Sequence, residues 1–271
     1  MTYMRITSFT LAVALMGLAQ TLGVAYGQAG QPQPEKLAYG IDKANVPDSI
    51  AKVKSGDFAL VNVELIAEAG AVEAIPILKE QFVRSQDPLK KAKIAAALVR
   101  LGDKDDTYWD YLVQLVTPAI ESDAPDFMSY DEQGKALHGP SPAFLAWTKT
   151  HNASPEAGED SLYWLPGKVL LLGETGDPRA VPLLRQALLS PNHLIEAAAA
   201  RGLAEIQDKD SIPMIIEACR KAPAEAASVI ADSLVYFDDS RAQSAVDTYI
   251  AKDTAKLLRD ARAKGKKPFH Y

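Results

Sequence analysis

The sequence predicts an all-α fold, an α-solenoid of about five helix-pair repeats with one irregular insertion. Three observations predict it. A turn, a proline and a helix recur together at a nearly constant interval. The helices between the turns carry apolar stripes at helical spacing. No β-rich segment stands out, in a chain that is 48% hydrophobic and only 7% aromatic.

The clearest copies of the pattern lie between Leu172 and Ile216. The first reads Leu172, Gly173, Glu174, Thr175, Gly176, Asp177, Pro178, Arg179, Ala180, Val181, Pro182. The second runs from Ile206 through Asp208 and Ser211 to Pro213. Pro182 and Pro213 hold the same place in successive copies, a spacing of about 31 residues. Each proline falls in the first turn of a helix, where its missing N–H costs nothing. Ile66 to Leu78 matches the first copy position for position, with Gly70 in the turn and Pro76 at the helix start. Gly102 follows Gly70, and Asp238 follows Asp208, at nearly the same interval. Such a period is that of a helical array in which each unit buries its face on the next.

The helices carry the stripe such an array needs. Ile94, Ala97, Leu98 and Leu101 follow the i, i+3, i+4, i+7 template, as do Trp109, Leu112, Val113 and Val116. Ile212, Ile215, Ile216 and Cys219 repeat it, and so do Ala242, Ala245, Val246 and Tyr249. The helix from Ile195 adds Ala198, Ala199, Gly202, Leu203 and Ile206, small enough in part to let a neighbouring helix approach closely.

The segment from Asp87 and Pro88 through Lys90, Lys91, Ile94 and Leu98 to Leu101, Gly102 and Asp103 resembles the short HEAT-like repeat, the kind also found in phycobilisome lyases. That repeat is commonly built as Asp-Pro, a Val-Arg pair, an alanine-rich helix ending Leu-Gly, then Asp-Pro and Val-Pro. The resemblance covers roughly Gly56 to Ile250 and implies a right-handed solenoid. The Val-Arg positions hold Lys90 and Lys91 in one unit and Leu194 and Ile195 in another, so the arginine ladder of some HEAT proteins is not kept. Tetratricopeptide and ankyrin patterns fit worse, because neither framework occurs at the turns.

Around the repeats the chain divides into further segments. Residues 1–27 read as a cleaved export signal: Arg5 supplies a positive start, Phe9 to Val24 an apolar run, and Ala25, Tyr26 and Gly27 a cleavage site before Gln28. The run falls short of the roughly 20 residues that span a bilayer. Residues 28–55 form a leader and an N-terminal cap holding one short helix started by Pro47. Repeats one and two occupy 56–121, the insertion 122–160, and repeats three to five with a basic C-terminal cap 161–271. Asp103, Asp105 and Asp106 are expected as helix N-caps and dipole partners rather than a calcium loop, which would need a central glycine and a closing glutamate.

The net charge of −6 becomes −7 once Arg5 leaves with the signal, and an acidic chain is a poor match for nucleic acid or anionic lipid. Cys219, the single cysteine, is expected as a small buried hydrophobe.

The insertion holds Pro118, Pro125, Pro140, Pro142 and Pro155 in or beside it and shows no repeat pattern, apart from a short helix expected from Ser141 to Thr150. Gly102 and Gly176 are separated by two periods plus about a dozen residues. Aromatics gather here: Phe127, Tyr130, Phe144, Trp147, Tyr163 and Trp164 are the candidate partner-binding residues. They either anchor the insertion on the adjoining helices or form an exposed recognition patch. His138 and His151 stand too far apart in a loop for a metal-ligand pair, so neither metal nor cofactor is expected.

No nucleophile elbow, phosphate loop, His-Glu-x-x-His helix or paired-cysteine motif occurs in the sequence. The expectation is an exported, periplasmic or secreted, non-enzymatic scaffold whose partner is another protein, with no contact to nucleic acid or, after signal cleavage, to membrane. A lyase-like enzyme or enzyme accessory, as the resemblance implies, and a purely structural spacer are the alternatives.

Overall fold

The structure, a computed structural model, describes residues 38–39, 43–151, 165–265 and 267–268. The expected export signal, most of the leader, Tyr163 and Trp164 lie outside the described residues. Contacts divide the chain into two units, Ile41–Tyr249 and a smaller one of Met1–Gly40 with Ile250–Tyr271.

The larger unit is built from repeating turns. In three of them a short 3-10 turn, Val72–Ala74, Pro178–Ala180 or Lys209–Ser211, leads straight into a helix with Pro76, Pro182 or Pro213 in its first turn. A left-handed residue precedes each: Gly70 at φ 69°, Gly176 at φ 62° and, where a glycine would serve more cheaply, Gln207 at φ 62°.

The helices are α1 (Val46–Ser55), α2 (Leu60–Glu68), α3 (Ile75–Arg84), α4 (Pro88–Arg100) and α5 (Thr107–Ile120) before the insertion. After it come α7 (Leu165–Glu174), α8 (Val181–Ala187), α9 (His193–Ile206), α10 (Ile212–Lys221), α11 (Ala224–Ala231) with a 3-10 turn at Asp232–Tyr236, and α12 (Ser240–Tyr249). Caps fix several starts. Asp87 accepts from the N–H groups of Leu89 and Lys90, and Asn192 from those of Leu194 and Ile195. In the acidic turn Asp105 accepts from Thr107 N–H and Asp103 from Asp105 N–H, whereas Asp106 instead meets Arg179 at 2.9 Å.

These helices stack in two rows. One row is α2, α4, α7, α9 and α11, each packed on the next; the other includes α1, α3, α5 and α8 and ends with α10 against α12. The stripes meet between the rows, where Ile66, Leu78, Ile94, Leu98, Leu112, Leu171, Leu184, Ile195, Leu203 and Ile212 are closed to solvent. The all-α repeat architecture expected from the sequence is therefore what the chain adopts.

Three features differ from expectation. Between Gly102 and Gly176 the rows gain one helix pair, α5 and α7, and the insertion joins its two members. Because α4 packs on α7 and α5 on both α7 and α8, the stack passes the insertion without a break. Second, Gly173, which carried no reading of its own in the sequence, lies inside helix α7. A Cβ there would stand 2.2 Å from the Gly202 Cα, so the two glycines let α7 and α9 meet backbone to backbone. Third, a cation ladder exists in residues other than the Val-Arg pair. Lys93 on α4 donates to Glu64 on α2 (2.7 Å) and Glu174 on α7 (2.6 Å). Arg100, also on α4, pairs with Glu68 on α2 (3.0 Å) and Glu205 on α9 (2.9 Å), and donates to the Glu174 carbonyl. Arg201 on α9 continues to Asp232 at 3.0 Å. Burial opposes the charge on Lys93, but Glu174 and Glu64 overcome it and hold its pKa above that of a free lysine.

Among the described residues the smaller unit holds α13 (Lys252–Ala263) beside a two-residue antiparallel pair, β1 (Ala38–Tyr39) with β4 (Lys267–Pro268). Thr254, Ala255, Leu258 and Ala261 form the buried stripe of α13, with Lys252, Lys256 and Lys264 exposed.

Candidate interaction site at the insertion

Over its described part the insertion stands outside the repeat pattern, as expected, and folds into a hairpin and a short helix. After Glu121 the chain forms a hairpin, β2 (Met128–Tyr130) against β3 (Ala136–Pro140), with Tyr130 opposite Ala136. Asp131 closes its turn, accepting from the N–H groups of Gln133 and Lys135, while Gly134 takes φ 76°. Ser141 then caps α6 (Pro142–Thr150): its hydroxyl accepts from Phe144 N–H and donates to the Asp126 carbonyl. The helix expected at Ser141 to Thr150 is thus present, with Ser141 as its cap. The hairpin escaped the sequence reading because its strands are three and five residues long, and an isolated hairpin is marginal in water. It borrows stability from what it rests on.

The candidate aromatics separate. Phe144 is 2% exposed and meets Phe127 edge to face with centroids 5.0 Å apart, so this pair forms the insertion's own core. Tyr130 is half-buried and faces the His193 ring on α9 at 6.1 Å. Trp147 stacks on His151 at 4.1 Å and donates from Nε1 to Asp123, on a half-exposed flank of α6. Leu137 and Leu145, which the sequence reading did not single out, remain exposed on the same segment.

Bonds from the repeats pin the insertion down. Asn192 donates to the Pro125 carbonyl, Glu225 N–H donates to the Gly134 carbonyl, and the Glu225 carboxylate accepts from Ala136 N–H at 2.7 Å. Gly134 lies so close to Ala224 that a Cβ would sit 2.4 Å from its nitrogen. Between these anchors lie Asp126, Tyr130, His193 and Glu196. His193 Nδ1 is 2.6 Å from Glu196 Oε2, and both Asp126 oxygens are buried without a hydrogen-bond partner of good geometry. Burial raises the Asp126 carboxyl above the ordinary aspartate value, with the Tyr130 hydroxyl and His193 pulling it back in part. Burial also works against the imidazolium of His193, but Glu196 and Asp126 overcome it and leave its pKa above the usual value. Burial, with Asp126 and Glu225 nearby, raises the Tyr130 phenol, and burial pushes the Cys219 thiol up to about 12.

His193, Glu196 and Glu225 escaped the sequence reading for a simple cause: they sit in the first turns of repeat helices, where a polar residue reads as a cap. The i, i+3 spacing of His193 and Glu196 on one helix face was the available signal. His138 is exposed on β3, and among the described residues no group of three His, Cys, Asp or Glu side chains could hold a metal ion.

Stacked helix pairs tied by a cross-helix ladder define a helical-repeat protein, and within it residues 169–235, from α7 to the turn after α11, match a family model described as HEAT repeats. No curated protein matches the chain.

Proposed function

We propose that this protein is an exported, non-enzymatic interaction scaffold whose HEAT-repeat stack presents the insertion to another protein. The observation that supports this most is the division of labour within the insertion. Its base is bonded to α9 and α11, while Leu137 (46% exposed) and Leu145 (41%) remain in solvent beside half-exposed Trp147. Apolar and aromatic groups held on a rigid support are what interface hot spots use, because little entropy is lost on binding. HEAT repeats in general serve as protein-interaction scaffolds, and a stack of repeats offers a long surface for that purpose.

The test is a cross-linked pull-down from envelope and culture-supernatant fractions with the mature chain, Trp147→Ala, and the double variant Leu137→Ser, Leu145→Ser. Recognition by the insertion predicts that capture of the wild-type partner falls at least about tenfold in both variants, a loss of about 1.4 kcal/mol. Undiminished capture would move recognition to the repeats. The mass of the protein recovered from the same fractions tests export, which predicts a chain starting at Gln28.

A further inference from the structure

We propose that Trp147 and Asp123 form a seat for an arginine side chain of the protein that docks on the insertion. The inference rests on the insertion being a recognition surface and adds the chemistry of one group it accepts, a guanidinium laid on the indole face and paired with the carboxylate at the indole's edge.

The chain itself shows what the site can hold. Trp147 Nε1 donates to Asp123 Oδ1 at 2.6 Å, which keeps a carboxylate at the rim of the indole. The His151 ring covers one indole face, 4.1 Å away and tilted by 13°, with its Nε2 3.9 Å from the same oxygen. A flat nitrogen group can therefore lie on this indole and approach Asp123 at once. Among the described residues no second ring and no cation stands over Trp147, and no lysine or arginine pairs with Asp123, whose side chain is 77% exposed.

At another tryptophan the arrangement is complete. The Arg179 guanidinium lies over the Trp109 ring, 4.5 Å from its centroid, and pairs with Asp106 at 2.9 Å and Asp177 at 2.8 Å. Trp147 and Asp123 offer the same ring and carboxylate to an arginine from outside. Arginine suits the place better than lysine, because its planar guanidinium stacks on an aromatic face while its N–H groups still reach a carboxylate. Charge agrees with this choice, since a chain of net charge −6 attracts a surface that presents arginine. Leu137 and Leu145, exposed on the same segment, supply the apolar contacts that accompany such an anchor.

Nuclear magnetic resonance of the indole N–H groups in the full mature chain tests this, by titration with N-acetyl-arginine amide at constant ionic strength. N-acetyl-lysine amide and the neutral N-acetyl-citrulline amide are the controls, and the Trp147 signal is the one lost in Trp147→Phe. That signal should shift and saturate, with half-saturation on the order of 10 mM arginine derivative. The lysine derivative should need at least about threefold more, and the citrulline derivative should give no saturating shift. The Trp109 signal should stay in place, because Arg179 already covers that ring. Asp123→Asn keeps an oxygen for the indole N–H and removes the charge, so its half-saturation should rise at least about threefold. Unchanged amide signals from the repeat helices show that each variant is folded. An unmoved Trp147 signal, equal binding of either control, an equal shift at Trp109, or undiminished binding by Asp123→Asn would each overturn the proposal. The titration is read without any partner protein, so its failure removes the arginine seat alone, whereas undiminished capture in the pull-down removes the insertion as the recognition surface.

Discussion

Gly173 and Gly202 show what a single missing atom contributes. Glycine costs a helix interior about 1 kcal/mol relative to alanine, yet α7 and α9 each keep one, at the point where their backbones touch. Gly173→Ala would place a methyl 2.2 Å from the Gly202 Cα, against backbone that has no side chain to move aside. We expect it to destabilise the protein by about 3 kcal/mol, the upper end for overpacking. Gly202→Ala meets the Leu184 methyls at 3.0 Å and the Gly173 Cα at 3.1 Å, much less tightly, and should cost about 1 kcal/mol. Urea unfolding of the two variants would show the difference, and equal midpoints would mean that the helices do not touch as described. The small-residue character of the α9 stripe was legible at Gly202. Its counterpart was not, since what Gly173 faces is the backbone of another helix, at Gly202.

At the scale of helices, α4 is the tie between repeats. Its two cations reach helices on both sides: Lys93 spans α2 and α7, and Arg100 spans α2 and α9. Arg100→Met would remove the cation that Glu68 and Glu205 share. The expected loss is about 2 kcal/mol, below the roughly 3–5 of a fully buried pair because these side chains keep some contact with water. Arg220 on α10 pairs with Glu217 on its own helix, both well exposed, so Arg220→Ala should leave the unfolding midpoint where it is. Chemical unfolding that gave the two variants equal midpoints would remove the ladder as a tie. None of this ladder was legible, because a cation reads as solvated until the helices beside it are known. The hairpin was hidden for a related reason: β2 and β3 are too short to declare a period of two, and what holds them is Glu225, far along the chain.

Over the whole larger unit, the repeat stack and the insertion are separable parts. Since α5 packs directly on α7 and α8, replacing residues 122–160 by a short Gly/Ser linker should leave a cooperative helical unit. Circular dichroism would show retained helicity and a single unfolding transition, with the midpoint lowered only by the lost contacts to α9 and α11. Collapse of the stack would make the insertion part of its core.

What the sequence determined by itself was the local and periodic content: helices from stripes at helical spacing, starts from prolines and caps, and a repeat of about 31 residues. Those features depend on neighbours within one or two turns, so they can be read without coordinates. Only the tertiary structure decided that α5 and α7 form one pair across the insertion, that Phe144 is closed off while Leu137 and Leu145 are not, and that Tyr130 faces His193. Burial and electrostatics depend on distance in space, and residues far apart in the chain become neighbours only when the rows of helices stack.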